Sequence, residues 1–340
     1  MTALRVGIVG CGLIGRKRAA ALDGDRLVAC CDVLPAAAQA LGDEYAAAVA
    51  DGVDDVLAHT PDVVIVAVPH DQLAKIAVRA LAGGAHVLVE KPAGIGTADV
   101  DLIATAAEQH RRRVKVGFNH RFHPALDRLI AEASSGRFGD IMFARARYGH
   151  GGRLGYENEW RMDPGLSGGG EMIDQGMHLL DLYYALLGPL PLASSLLRTQ
   201  YWDAPVEDNA VVVLGELDAR DAPWGTFHVS WTEWKNLFSL ELYCRTGKLT
   251  VDGLAGSYGP QELRIYSMKP ELGPPDVEHL TFPAGDGSWV SEWRHLRQAL
   301  VADDGRPLHG DLQSARYAWG CVEAAYAANG YPAVRGRPRR

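Results

Sequence analysis

Cysteine is scarce in this 340-residue chain, and the few present do not pair. The five stand at 11, 30, 31, 244 and 321, with no CxxC step and no zinc-type spacing, so neither a disulfide framework nor a bound metal is expected. Cys30 and Cys31 lie inside an apolar run and read as small hydrophobes, a usage that fits a reduced cytoplasm. Excess basic charge is also missing. Lys and Arg number 34 against 42 Asp and Glu, for a net charge of −8, which argues against a general nucleic-acid binder. The two basic clusters, 111–113 and 335–340, read as a solvated helix end and a disordered tail. No apolar run reaches membrane-spanning length, and Met1 leads straight into a strand pattern without the basic and apolar stretches of a secretion signal. The expectation is a cytoplasmic protein with no nucleic-acid, membrane or metal partner.

What is present is ordinary for a globular protein: 47% hydrophobic and 22% charged residues, in a chain long enough for two domains. The first ~120 residues alternate short apolar runs with helical stretches. Strands are predicted at 5–9, 27–31, 63–68, 86–89 and 114–118, with helices through 22 and at 36–50, 73–81 and 97–109. Such nearly continuous apolar strands suit a parallel sheet buried on both faces. After His123 the style changes. A helix at 124–134, a strand at 141–148 and a helix at 171–187 lead into strands at 210–217, 225–232, 238–245, 249–252, 263–266 and 279–282. Turns at Gly247-Lys248 and Asp252-Gly253 suit antiparallel hairpins, and helices at 291–301 and 311–328 close the chain. The fold class is α/β: an N-terminal Rossmann-type doubly wound parallel sheet at 1–122, an α+β domain with an open, mainly antiparallel sheet at 123–334, and a basic tail at 335–340. The tryptophans at 224, 231, 234, 289, 293 and 319 read as sheet-face and interface packing.

Three segments carry chemistry. Gly10-Cys11-Gly12-Leu13-Ile14-Gly15 follows the first strand and opens the first helix. The first glycine permits a tight turn, the second a close approach of a pyrophosphate, and the third close helix–strand packing. Asp32, at the end of the second strand, is placed to accept hydrogen bonds from an adenosine ribose. It would repel a 2′-phosphate, and Val33-Leu34-Pro35 offers no cation to attract one, so NAD is favoured over NADP. Glu90-Lys91-Pro92 sits past a central strand, where open α/β sheets bind ligands; a lysine there can hydrogen-bond a substrate hydroxyl, and the proline can hold a cis bond. Asp174 and His178 are four apart in a predicted helix and share one face. A carboxylate beside an imidazole suits a general acid/base, although a surface pair or a core histidine gives the same pattern. The three glycines 168–170 before them read as a flexible lead-in able to hold an anionic group. Between the domains, Tyr148, His150, Arg153, Glu159, Trp160 and Arg161 fall in a glycine-rich stretch that reads as a substrate loop.

Together, Gly10-x-Gly12-x-x-Gly15, Glu90-Lys91-Pro92, Gly117-Phe118-Asn119-His120-Arg121-Phe122 and Gly168-Gly169-Gly170-x-x-x-Asp174-x-Gly176-x-His178 resemble the Gfo/Idh/MocA oxidoreductases over essentially the whole chain. The resemblance implies that Lys91 hydrogen-bonds the reacting oxygen, that His178 takes or gives the hydroxyl proton, and that Asp174 positions substrate and supports the histidine. It places Gly10, Gly12, Leu13, Ile14, Gly15, Asp32, Val68, His70, Glu90, Asn119, Trp160 and Arg161 near the cofactor. Arg121, Tyr148, His150 and Arg153 join Lys91, Asp174 and His178 as candidate substrate contacts. The expected activity is NAD-dependent oxidation of a secondary ring hydroxyl of a sugar, such as C3 of a phosphorylated or nucleotide-linked one. The alternatives are a ketosugar reductase, an inositol dehydrogenase, a redox-neutral enzyme that recycles NAD in place, or a non-catalytic NAD-binding sensor. A homodimer or homotetramer through the C-terminal sheet is expected.

Overall fold

The structure, a computed structural model, describes residues 3–283, 285–302 and 305–331. The basic tail expected at 335–340, with the last residues assigned to the second domain, lies outside them. The described residues form two compact units, one within 3–119 and 289–316 and the other within 120–288 and 317–331.

The first unit holds β1 (Arg5–Val9), α1 (Leu13–Ala20), β2 (Arg26–Cys31), α2 (Pro35–Tyr45), β3 (Ala48–Val49), α3 (Val53–Ala58), β4 (Val63–Val66), α4 (His70–Ala82), β5 (His86–Val89), α5 (Thr97–His110) and β6 (Val114–Val116). All six strands are parallel, in the order β3-β2-β1-β4-β5-β6. The order reverses between β1 and β4, the crevice where doubly wound sheets take ligands. β4 is wholly buried, as its unbroken Val-Val-Ile-Val requires.

Several boundaries differ from the sequence reading. The helix predicted to 50 stops at Tyr45 because Ala46 turns left-handed, with φ 51°, and β3 follows. β4 ends at Val66, which leaves Val68 in a loop, and α4 begins at His70. The cluster at 111–113 does end a helix, but it is anchored: Arg112 Nε donates to the Gly84 carbonyl, and Arg113 Nη1 to that of Ala299.

The second unit opens with α6 (Pro124–Ser134), which starts on proline, and β7 (Ile141–Gly149). A short α7 (Pro164–Ser167), a π-helical turn (Met172–Gly176) and α8 (Met177–Leu187) follow. Then come β8 (Leu192–Arg198), β9 (Asn209–Leu214), β10 (Trp224–Ser230), β11 (Leu237–Cys244), β12 (Gly247–Asp252), β13 (Glu262–Ser267) and β14 (Asp276–Thr281). The eight-stranded sheet runs β14-β13-β12-β11-β7-β10-β9-β8, antiparallel except that β7 and β10 pair in parallel. Gly247 opens β12 instead of forming a turn, so the hairpin turns at Arg245-Thr246. α6 lies on β12 and β13, and α8 on β7 and β10. The opposite face is half-buried, and β11 shows the alternation of a one-sided sheet.

α9 (Ser288–Ala302) then returns the chain to the first unit, which the single boundary at 122/123 did not anticipate. Trp293, Leu296 and Ala299 join Val6, Ile8 and Leu27 in one core. α10 (Leu312–Ala328) belongs to the first unit through Arg316 and to the second beyond it. Trp231, Trp293 and Trp319 are buried as expected, whereas Trp234 is 66% exposed. No described helix is long and apolar enough to cross a membrane.

Candidate active site

In the first unit the glycine motif lies at the β1/β4 crevice. Gly10 has φ 96°, and a side chain there would run into the Ala67 carbonyl. A Cβ on Gly15 would strike the Gly10 carbonyl, whereas one on Gly12 would meet nothing within 4 Å. α1 therefore packs tightly at its third glycine and leaves open space at its N-terminus, where no side chain caps the backbone N–H groups. That is the shape a pyrophosphate needs. Asp32 is held by the N–H groups of Cys11, at 2.6 Å, and Leu34, at 2.8 Å. Leu13, Val33 and Leu34 are exposed around it, with no cation at those positions. The residues present fit a dinucleotide with an unphosphorylated ribose. Ile14 is half-buried, while His70 and Asn119 are buried at the starts of their helices.

The Lys91-Pro92 bond is cis. Lys91 is half-buried, and its neighbour Glu90 faces a buried arginine. Glu90 is buried and accepts from Arg18 Nε at 2.5 Å. Arg18 Nη1 in turn reaches Glu292 on α9 at 2.5 Å, and Lys115 Nζ lies 3.4 Å from the same carboxylate. Burial pushes the Glu90 carboxyl up, and Arg18 opposes that. Glu90 thus belongs to a buried ion cluster. That cluster also explains Gly117, since a Cβ there would stand 2.6 Å from Arg18 Nη2 and 2.9 Å from Glu90 Oε2.

In the second unit, His178 lies near the start of α8, a helix buried nearly all round. Its ring stacks on His120 with centroids 3.7 Å apart and planes 23° from parallel. His120 Nε2 is 3.1 Å from the Tyr148 hydroxyl. Burial holds that phenol's pKa far above its usual value, with Tyr258, Asp174 and Glu171 adding to the effect. Gln175 Nε2 donates to the Tyr258 hydroxyl at 2.9 Å.

Asp174 lies on the π-helical turn, whose bonds close over five residues, directly before the helix that carries His178. Its carboxylate oxygens lie 3.7 Å from Arg161 Nε and 3.9 Å from His150 Nε2. Burial pulls the Arg161 pKa down, but Asp174, Tyr156 and Glu159 together hold it above its usual value. Arg153 pairs with Glu159 on the exposed loop, and the Arg161 guanidinium lies over the Trp160 ring at 4.8 Å. Arg121 directs its fork at Asp181 on α8, with Nε and Nη2 at 2.7 and 2.6 Å. That guanidinium, offered by sequence to substrate, is held in a buried pair.

Nor are the glycines 168–170 a flexible anion cradle. Gly170 N and Met172 N donate to the buried Glu207 carboxylate at 3.2 and 3.0 Å, and Tyr326 donates to it at 2.8 Å. Side chains at 169 and 170 would collide with the Tyr326 hydroxyl and the Glu207 carbonyl. The helix N-terminus is filled by a carboxylate from the protein itself. Sequence reasoning missed this group, and with it the place of His120, Gln175 and Tyr258. For His120 a signal existed, its position in the third motif.

A nucleotide-type parallel sheet followed by a large, mainly antiparallel one makes this a two-domain protein of the Rossmann class. Residues 4–118 match the family model described as an oxidoreductase family with an NAD-binding Rossmann fold, and residues 126–250 match the same family's C-terminal domain. The chain belongs to the Gfo/Idh/MocA family. It is 33% identical over 193 residues to D-glucoside 3-dehydrogenase of Escherichia coli (strain K12), covering 54% of each chain. It is 32% identical over 153 residues to inositol 2-dehydrogenase of Salmonella typhimurium (strain LT2), covering 43% of this chain and 46% of that one. The chain spans about half the length of the curated relatives it matches. Among solved structures, GenD2 from gentamicin A biosynthesis in complex with NAD superposes with a TM-score of 0.79 at 25% identity, over 97% of this chain and 95% of that one.

Proposed function

We propose that the protein is an NAD-dependent dehydrogenase that oxidises a secondary ring hydroxyl of a sugar or sugar derivative. Similarity to D-glucoside 3-dehydrogenase favours C3 as the carbon. The observation that carries the reading is the buried His178 imidazole, stacked on His120 in a family whose first domain is an NAD-binding fold.

NAD, when bound, supplies the carbon that accepts the hydride. Gly10, Gly12 and Gly15 would leave it room, the α1 N–H groups of Leu13 and Ile14 would hold its phosphates, and Asp32 would accept from its ribose. Val68, His70, Asn119 and Trp160 would complete the set of residues that hold it. Lys91 donates to the hydroxyl oxygen and stabilises negative charge there as the proton leaves. His178 takes that proton, and His120, backed by Tyr148, fixes the plane of its ring. Asp174, with Arg161 and His150 beside it, holds neighbouring hydroxyls. The half-buried outer face of the second sheet is the surface for a homodimer or homotetramer.

The test is NADH appearance with free, phosphorylated and nucleotide-linked sugars and with inositol, NAD and NADP being run in parallel. Turnover with NAD is expected, and His178→Ala and Lys91→Ala should each lower kcat by about 10²–10⁴-fold without weakening NAD binding. Full turnover in His178→Ala would sink the assignment, as would tight NAD binding with no oxidation across the panel.

A further inference from the structure

The second unit carries an exposed aromatic corner that the chemistry above does not use. Between β8 and β9 the loop is locked by Asp208, which is buried. Asp208 Oδ2 accepts from the N–H groups of Gln200, Tyr201 and Trp202 at 3.0, 2.7 and 3.1 Å. The Trp202 indole donates to the Trp231 carbonyl at 3.0 Å, and Thr199 Oγ1 to that of Val206 at 2.7 Å. On this rigid base Tyr201 is 59% exposed, and its ring meets that of the still more exposed Trp234 at 4.7 Å and 74°.

The corner adjoins the candidate site. Trp234 Cε3 stands 3.1 Å from where a Cβ on Gly151 would sit, and Trp202 Cζ2 stands 2.7 Å from one on Gly152. The residue before them is His150, beside Asp174. Rings also run continuously from His150 to Tyr156, Trp202 and Tyr201, with centroids 5.6, 5.4 and 5.0 Å apart. One exposed aromatic needs no explanation. Two held nearly perpendicular, Tyr201 on the locked loop and Trp234 on the β10–β11 connection beside the glycines that follow a site residue, form a preorganised platform.

We propose that Tyr201 and Trp234 form an outer subsite for a second sugar ring, so that the preferred substrate is a glycoside extended by at least one pyranose beyond the ring that reacts. A flat aromatic group can lie on only one of the two faces. A glucopyranose chair lays the axial C–H groups of one face on one ring and turns the equatorial hydroxyls of its edge to the other ring's polar tip and to water. The inference rests on the sugar-dehydrogenase reading and deepens it.

The test compares kcat/KM for cellobiose and maltose with that for methyl glucoside in the wild type, Tyr201→Ala and Trp234→Ala, with UDP-glucose as a fourth substrate. A wild-type preference for a disaccharide is expected, falling about 10-fold in each variant. An unchanged ratio in both variants overturns the subsite. So does a preference confined to UDP-glucose, or a fall in oligomer mass in the variants at an unchanged ratio, which would make the corner a contact with a second copy. If no sugar is oxidised, the dehydrogenase reading fails separately. Quenching of intrinsic tryptophan fluorescence by cellobiose then decides for the subsite if Tyr201→Ala abolishes it, and against it if the wild type shows none.

Discussion

Arg18 brings a positive charge into the first unit's core with 2% of its surface exposed, and the carboxylates of Glu90 and Glu292 meet it there. Lys115, wholly buried, balances the second acid. Two charges of each sign are thus withdrawn from water together, and removing one leaves an uncompensated ion. Arg18→Met should destabilise the protein by about 3–5 kcal/mol, read as a shift in the urea midpoint at pH 7. Arg18→Lys should recover only part of the loss, because an ammonium cannot reproduce a fork that binds two carboxylates. The sign of the pH dependence follows from Glu90. Burial raises its folded pKa above the unfolded value, and losing Arg18 raises it further. The stability this group contributes is present at low pH and is lost as the pH rises through the folded value. The deficit of Arg18→Met should therefore shrink at pH 5 relative to pH 7. An equal deficit at both would mean that the cluster does not hold these charges.

At the scale of elements, the lead-in to α8 is held by a carboxylate that burial pushes up to about 7, hydrogen bonds from Tyr326 and the glycine backbone opposing the rise. Because that value lies above the unfolded one, Glu207 supports folding most fully below about pH 4.5, and its contribution is lost as the pH climbs through 7. Glu207→Gln stays neutral throughout. The stability of the wild type relative to this variant should therefore fall from pH 5 to pH 8, by up to about 3 kcal/mol; a difference in melting temperature that stays flat over that range would refute it. α8 itself was legible, since Met172, Ile173, Met177, Leu180 and Tyr184 recur at helical spacing. The π-turn was not, because apolar spacing does not record whether a bond closes over four residues or five. It is still less informative in a helix buried nearly all round, where no polar face marks the phase. The parallel strands were legible because burial on both faces makes them continuous apolar runs. β3, two residues after an alanine-rich helix, and α3, six residues long, left no period to read. His120 stood within a readable motif, but its stacking on His178 comes from tertiary packing. Tyr258 comes from a loop with no motif at all.

At the scale of the whole molecule, a sequence divides most simply at one point, yet the first unit is closed by a segment from near the other end. α9 supplies Trp293, Leu296 and Ala299 to its core and Glu292 to its charge cluster. The Trp293 indole donates to Asp25 at 2.9 Å, and Arg294 and Arg297 pair with Asp23 and Asp25. Arg113 reaches carbonyls at Ala299 and Arg306. Nothing in the local pattern of 289–316 shows this, because an amphipathic helix states which face it buries and not against what. A fragment cut at the sequence boundary, residues 1–122, would keep the whole glycine motif and all six strands. It would lose the carboxylate that balances Arg18 and Lys115 and expose the apolar surface that α9 covers, costing about 1.5–3 kcal/mol for each large side chain removed, against a total stability of about 5–15 kcal/mol. Such a fragment should show no cooperative thermal transition by circular dichroism, and NAD should not raise its melting temperature. Residues 1–119 joined by a short linker to 289–316 should melt cooperatively, with a midpoint that rises with NAD as binding to the folded state requires. A cooperative, NAD-sensitive transition in 1–122 alone would show that α9 adds only surface packing to a nucleotide-binding domain already complete.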